Sequence, residues 1–103
     1  MTAAAFRRIA LSMTGAVENA HMNHPDFRVN GKIFATLGYP DAEHGMVVLP
    51  QPDQKKFIAL APTAFSPAKG AWGRRGSTCV RLDAVTPLTL KRAMAIAWKN
   101  KAG

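Results

Sequence analysis

Between Lys69 and Gly76 the chain reads Lys-Gly-Ala-Trp-Gly-Arg-Arg-Gly, which sets three cations, three glycines and an indole in eight residues. Gly73 and Gly76 bracket Arg74 and Arg75, and glycine lets a backbone turn through positive φ and approach a ligand closely. Adjacent guanidinium groups on such a turn have no core to serve. Their chemistry is that of solvated charge or of contact with an anionic ligand. Trp72 has two uses beside them, as an apolar anchor of a sheet or as a platform on which a base stacks, and in so small a domain the anchor is favoured. Ser77 to Leu82 is β-branched and alternating, so it reads as a strand, with Lys69 to Trp72 as a short strand before the glycine turn.

The remaining reactive side chains are sparse. His21 and His24 stand three apart, but Pro25 and the lack of further ligands nearby argue against a metal. Ser77 and Thr78 have no identifiable base beside them, and no phosphate loop, paired carboxylate or Cys-His arrangement emerges. Neither an enzyme nor a cofactor is expected. A convergent pocket holding one of the histidines and a carboxylate is the observation that would revive catalysis. Cys79 is the single cysteine, so no intramolecular disulfide forms and a reducing, cytoplasmic location is the simplest expectation. Its thiol is inert unless its pKa is depressed.

Fourteen Lys and Arg against six Asp and Glu give 103 residues a formal charge of +8. That surplus attracts phosphate backbones, acidic proteins or anionic membranes. With 48% hydrophobic and 19% charged residues the composition is that of a globular domain, and its length predicts one domain over 1–103. Ser12 and Gly15 interrupt the apolar run after Arg7 and Arg8, which leaves no signal-peptide core, and no stretch has membrane-spanning length.

Phe6, Ile9, Ala10 and Met13 follow helical spacing behind Thr2 as N-cap, with Gly15 as a stop. Ala16 to Asn23 reads as irregular. Asn30-Gly31 between two alternating runs predicts a two-residue hairpin in which Val29 faces Lys32, Arg28 faces Ile33 and Phe27 faces Phe34. Phe27, Val29 and Phe34 then share the core face, Arg28 projects to the other, and Lys32 sits beside the tip. Met46 to Leu49 predicts a third strand, preceded by a loop holding a solvated His44. Pro52 and Asp53 open a second helix with Phe57, Leu60 and Ala61 inward, ended by Pro62. Thr86-Pro87 opens a last helix with Leu90, Met94, Ala97 and Trp98 as its stripe. Arg81 alternates with Val80 and Leu82 and belongs on the exposed sheet face, which Cys79 shares.

Three stretches together resemble the MmcQ/YjbR family of small bacterial proteins, labelled DNA-binding on structural grounds. They are the first helix closed by Gly15 with Glu18 after it, His24-Pro25-x-Phe27-Arg28-Val29-x-Gly31-Lys32-Ile33-Phe34-Ala35, and Gly70-Ala71-Trp72-Gly73-Arg74-Arg75-Gly76 before a strand. The resemblance covers nearly the whole chain and implies a two-layer α+β fold, an antiparallel sheet of four to five strands with three helices in the order α-β-β-β-α-β-β-α. It departs from the common pattern at Ser77, where members often carry tryptophan. What it implies for function is DNA binding. On that reading Arg28, Lys32 and Arg81 on the sheet face join Lys69, Trp72, Arg74 and Arg75 at the hairpin in weak, nonspecific contact with phosphates. The competing expectation is a protein-interaction or self-associating domain using the same face. A small ligand in a cleft formed by His24, Lys32 and Trp72 is a further possibility.

Overall fold

In the computed structural model, which describes residues 1–103, Asn30 (φ 52°) and Gly31 (φ 75°) make the tight turn that their pairing predicts. Two successive positive-φ residues match the twist of the strands they join. The chain runs α1 (Ala3–Leu11), β1 (Val17–His21), β2 (His24–Val29), β3 (Lys32–Leu37), β4 (His44–Val48), α2 (Gln51–Leu60), β5 (Phe65–Pro67), α3 (Gly70–Arg74), β6 (Ser77–Arg81) and α4 (Pro87–Ala102). The class is α+β, with one antiparallel sheet in the order β1-β2-β3-β4-β6-β5.

Six strands and four helices replace the expected four to five and three. The stretch read as irregular is β1, which pairs with β2 from Val17↔Arg28 to His21↔His24. Met22 (φ 49°) and Asn23 (φ 66°) close this hairpin with a second pair of left-handed residues. At the other end, the segment read as a strand at Lys69 to Trp72 is the short helix α3, and the strand beside β6 is Phe65–Pro67. His44 is the first residue of β4 rather than a loop residue, and its Nδ1 lies 2.7 Å from Asp41 Oδ1.

The hairpin register is as predicted at Val29↔Lys32 and Arg28↔Ile33, then slips at a bulge, so that Phe27 faces Ala35 and not Phe34. The extra residue lets Phe34 and Ala35, consecutive on β3, both be fully buried before alternation resumes at Thr36. Phe27, Val29 and Phe34 form the core face as expected.

Helices α1 and α4 pack on that face. Phe6, Ile9 and Ala10 from α1 and Leu90, Ala93, Met94 and Ala97 from α4 join Phe27, Phe34 and Val47 in one cluster. Phe6 meets Phe27 at 6.2 Å between ring centroids. Each of these large side chains stabilises the fold by roughly 1.5–3 kcal/mol through burial. Thr2 and Thr86 cap the two helices by accepting from Ala5 N and Thr89 N. Trp98 is half-buried and donates its indole N–H to Thr14 O at 2.8 Å. Helix α2 covers the β5 end, where Phe57 meets Phe65 at 5.4 Å. No helix is long and apolar enough to cross a membrane.

Candidate binding cleft on the open sheet face

Side chains alternate across a strand, so the register also defines the face that no helix covers. Arg28 opposite Ile33, Asp26 opposite Thr36, Thr36 opposite Met46 and Met46 opposite Cys79 place these residues together there. A cavity of about 530 Å³ opens on this face. Ile33, Met46 and Val48 give it an apolar floor, His24 and Tyr39 stand at one side, and Trp72 and Arg75 at the other. Lys101 lines it as well, brought near because Asn30 Nδ2 at the hairpin tip donates to Ala102 O at 3.0 Å. No carboxylate is part of its lining.

Helix α3 sets the rim. Trp72 is 65% exposed, which corrects the expectation of a sheet anchor. As a single turn lying outside the sheet, α3 buries only Gly73 and leaves its indole free. Gly76 (φ 106°) then turns the chain into β6. A Cβ at that position would overlap the carbonyl oxygen of Leu49, whose own N–H donates to Gly76 O at 2.9 Å. Only glycine satisfies both the dihedral and the approach.

Gln54 on α2 fastens this turn from beneath. It is 6% exposed, and its Nε2 donates to Gly73 O at 3.0 Å, Ser77 O at 3.2 Å and Thr78 Oγ1 at 3.1 Å. Gln51 on the same helix donates to Arg74 O. Sequence reasoning passed over Gln54, although its place one turn before Phe57 puts a polar side chain on the buried stripe, which is the signal of a buried hydrogen-bonding role. Replacing Gln54 with leucine strands these acceptors, and we expect a loss of roughly 2 kcal/mol in urea unfolding. The same variant should raise amide exchange across residues 70–76.

Asp26 is completely buried. Arg28 grips it in two bonds, Nε to Oδ1 at 2.8 Å and Nη2 to Oδ2 at 3.1 Å, and His21 Nδ1 lies 2.7 Å from Oδ2. The Arg28 bond, with help from His21, holds the Asp26 carboxyl below the usual carboxylate range against the opposing cost of burial, and raises the Arg28 guanidinium in turn. Arg28 is therefore neutralised where it stands. His21 lines the cleft, so a histidine and a carboxylate do meet beside a pocket. With Nδ1 held by the acid, Nε2 is the ring nitrogen left without a protein partner. None of the cleft hydroxyls, Thr36, Tyr39 or Ser77, is hydrogen-bonded to His21, so a nucleophile–base pair is not assembled.

Arg81 is on the open face as expected, but it too is held, by Asp83 at 2.7 Å and 3.4 Å. Of the seven candidate contact residues, the structure brings Trp72 and Arg75 into the cleft. Lys69 and Arg74 are exposed at the ends of α3, and Lys32 is exposed beside the hairpin tip. Arg28 and Arg81 are tied to acids. His24 and Trp72 do line one cleft, while Lys32 is not part of its lining. Cys79 is buried, and burial pushes its thiol above the ordinary value, with the Asp41 charge adding to the shift, so it is a packed and unreactive side chain. Comparison of the chain with protein-family models, curated proteins and solved structures finds no match.

Proposed function

We propose that this chain binds nucleic acid, DNA first, through the basic rim of the open cleft. The observation that carries this reading is the distribution of unpaired cations. Of the fourteen Lys and Arg side chains only Arg7, Arg28 and Arg81 are in ion pairs. Lys69, Arg74 and Arg75 stand free beside Trp72, Lys101 reaches the same cleft, and no acid lines it. Phosphates are held by such free cations, and the exposed indole adds a stacking surface. The resemblance to the MmcQ/YjbR family points the same way. Free cations at the cleft rim meet phosphates rather than base edges, so the binding is sequence-tolerant.

Fluorescence anisotropy with labelled DNA at two salt concentrations tests this. Binding should weaken steeply with salt. The variant Lys69→Ala/Arg74→Ala/Arg75→Ala should lose at least about tenfold in affinity at low salt and flatten the salt slope by roughly three units. The charge-neutral double variant Asp26→Leu/Arg28→Leu should change affinity little, because the Arg28 charge is already matched by Asp26. Absence of binding to any DNA at low salt would refute the proposal.

A protein partner is the second reading. Trp72, Tyr39 and Met22 are large exposed apolar side chains beside one cleft, and aromatic and arginine side chains dominate protein interfaces. Capture of one stoichiometric protein, insensitive to nuclease, would favour it over DNA.

A further inference from the structure

The surface cations account for phosphate contact but leave the cleft itself unused. Its volume of about 530 Å³ falls within the roughly 300–1,000 Å³ of pockets that enclose small organic ligands. A duplex docked on the rim would leave this space empty, because paired bases are stacked inside the helix. The interior is suited to a flat, polar-edged ring. Ile33, Met46 and Val48 supply an apolar surface on which such a ring lies, and Trp72 at the rim supplies a second.

The polar groups point the same way. Thr36 and Ser77 are 7% and 6% exposed and line the cleft. Neither side-chain hydroxyl engages in a hydrogen bond with the protein, whereas the neighbouring Thr78 Oγ1 is fully engaged. Since no sealed side-chain oxygen or nitrogen lacks a partner, these two hydroxyls open on the cavity. Each is a donor and acceptor waiting over an apolar floor. Arg75 and Lys101 add positive charge within reach of the same space.

Resting on the nucleic-acid reading above, we infer that the cleft receives one unpaired nucleotide. Its base lies on Met46 and Val48 with its edge toward Thr36 and Ser77, and its phosphate is held by Arg75 and Lys101. The recognised chemistry is a nucleoside phosphate. In a polymer it is offered by single-stranded DNA or by a base turned out of a duplex, and in solution by a free mononucleotide.

Three labelled probes at one salt concentration decide the matter: a single-stranded oligothymidylate, a duplex of equal length and an abasic strand of equal length. The single strand should bind at least tenfold more tightly than the other two and quench tryptophan emission. Ser77→Phe projects a ring into the cavity and leaves every cation in place. It should abolish the single-strand advantage and leave duplex binding unchanged. Trp72→Ala, at an exposed position that does not support the core, should reduce the advantage at least fivefold. Equal binding of the three probes, or an undiminished advantage in both variants, overturns the inference while leaving the phosphate reading intact. Loss of all binding refutes that broader reading instead. Thymidine monophosphate titrated alone separates the two sources. Saturation that Ser77→Phe removes identifies the free nucleotide as a ligand in its own right, and saturation that survives Ser77→Phe places it outside the cleft and overturns the inference.

Discussion

Asp26→Ala should lower the unfolding free energy by about 3 kcal/mol, the low end of the range for breaking a buried ion pair. The carboxylate has no exposed surface, and its removal leaves the Arg28 guanidinium and the His21 ring facing a void. Arg28 keeps 28% of its side chain in solvent, which screens the stranded charge and holds the loss below the upper limit. The double variant Asp26→Leu/Arg28→Leu removes both partners and should recover part of the stability, since neither charge is then left alone. A single variant as stable as wild type in urea unfolding would show that the pair contributes nothing. The same group sets the acid limb. Its folded-state pKa lies below the ordinary 3.8 because Arg28, then His21, bond the ionised form. The stabilisation is therefore fully present above the unfolded carboxylate value and is lost as pH falls through the lowered folded value. Asp26→Asn should flatten stability in that acidic window while leaving the alkaline side unchanged.

The second large effect is expected at Gly76. Alanine there must adopt φ near 106° and place its Cβ within the Leu49 carbonyl oxygen, so the junction of β4, α2 and α3 has to move. We expect a loss of about 3–4 kcal/mol, the sum of left-handed strain and forced backbone displacement. Gly31→Ala is the control. Its φ of 75° carries comparable strain, but nothing lies within 4 Å of the added carbon, so about 1 kcal/mol is expected. Thermal unfolding of the two variants side by side separates crowding from dihedral strain. Equal losses would mean that the close approach to Leu49 is relieved at no cost.

Much of the fold was legible because it rests on strong local signals. Asn30-Gly31 between alternating runs specified the central hairpin, and the stripes on α1 and α4 specified the layer above it. Strand β1 escaped because its residues Val17 to Ala20 are all exposed, so no buried face imprinted a period on them, and its turn uses Met22 where a glycine or asparagine would have announced it. Helix α3 spans five residues, two of them glycine, too short for periodicity to register. The bulge at Phe27/Arg28 is a property of how two strands meet, which neither strand encodes alone.

The site was legible by residue type more than by arrangement. Trp72 and Arg75, singled out for their chemistry, both line the cleft, whereas Lys101 arrives from the far end of the chain and no local pattern ties it to them. Arg28 and Arg81 are tied to acids, and the signal for that was present. Each sits two residues from an acid, Asp26 and Asp83, and positions i and i+2 on or flanking a strand share a side of the sheet. A cation at that spacing is matched by its own strand before any ligand arrives.

The sheet order carries a kinetic consequence. Strands β1 to β4 form by three successive turns between chain neighbours, whereas β6 reaches β4 only after α2, β5 and α3 have been traversed, its nearest pair being Val48↔Ser77. Closing that long loop is entropically costly and comes after local pairing in time. The four-stranded meander is thus expected to form early and the β4–β6 seam late. Ser77 and Val48 lie at the end of that seam, so the cleft floor is expected to be completed late as well. Transient opening of β6 would dismantle the cleft while the hairpin of Asn30 and Gly31 remained intact.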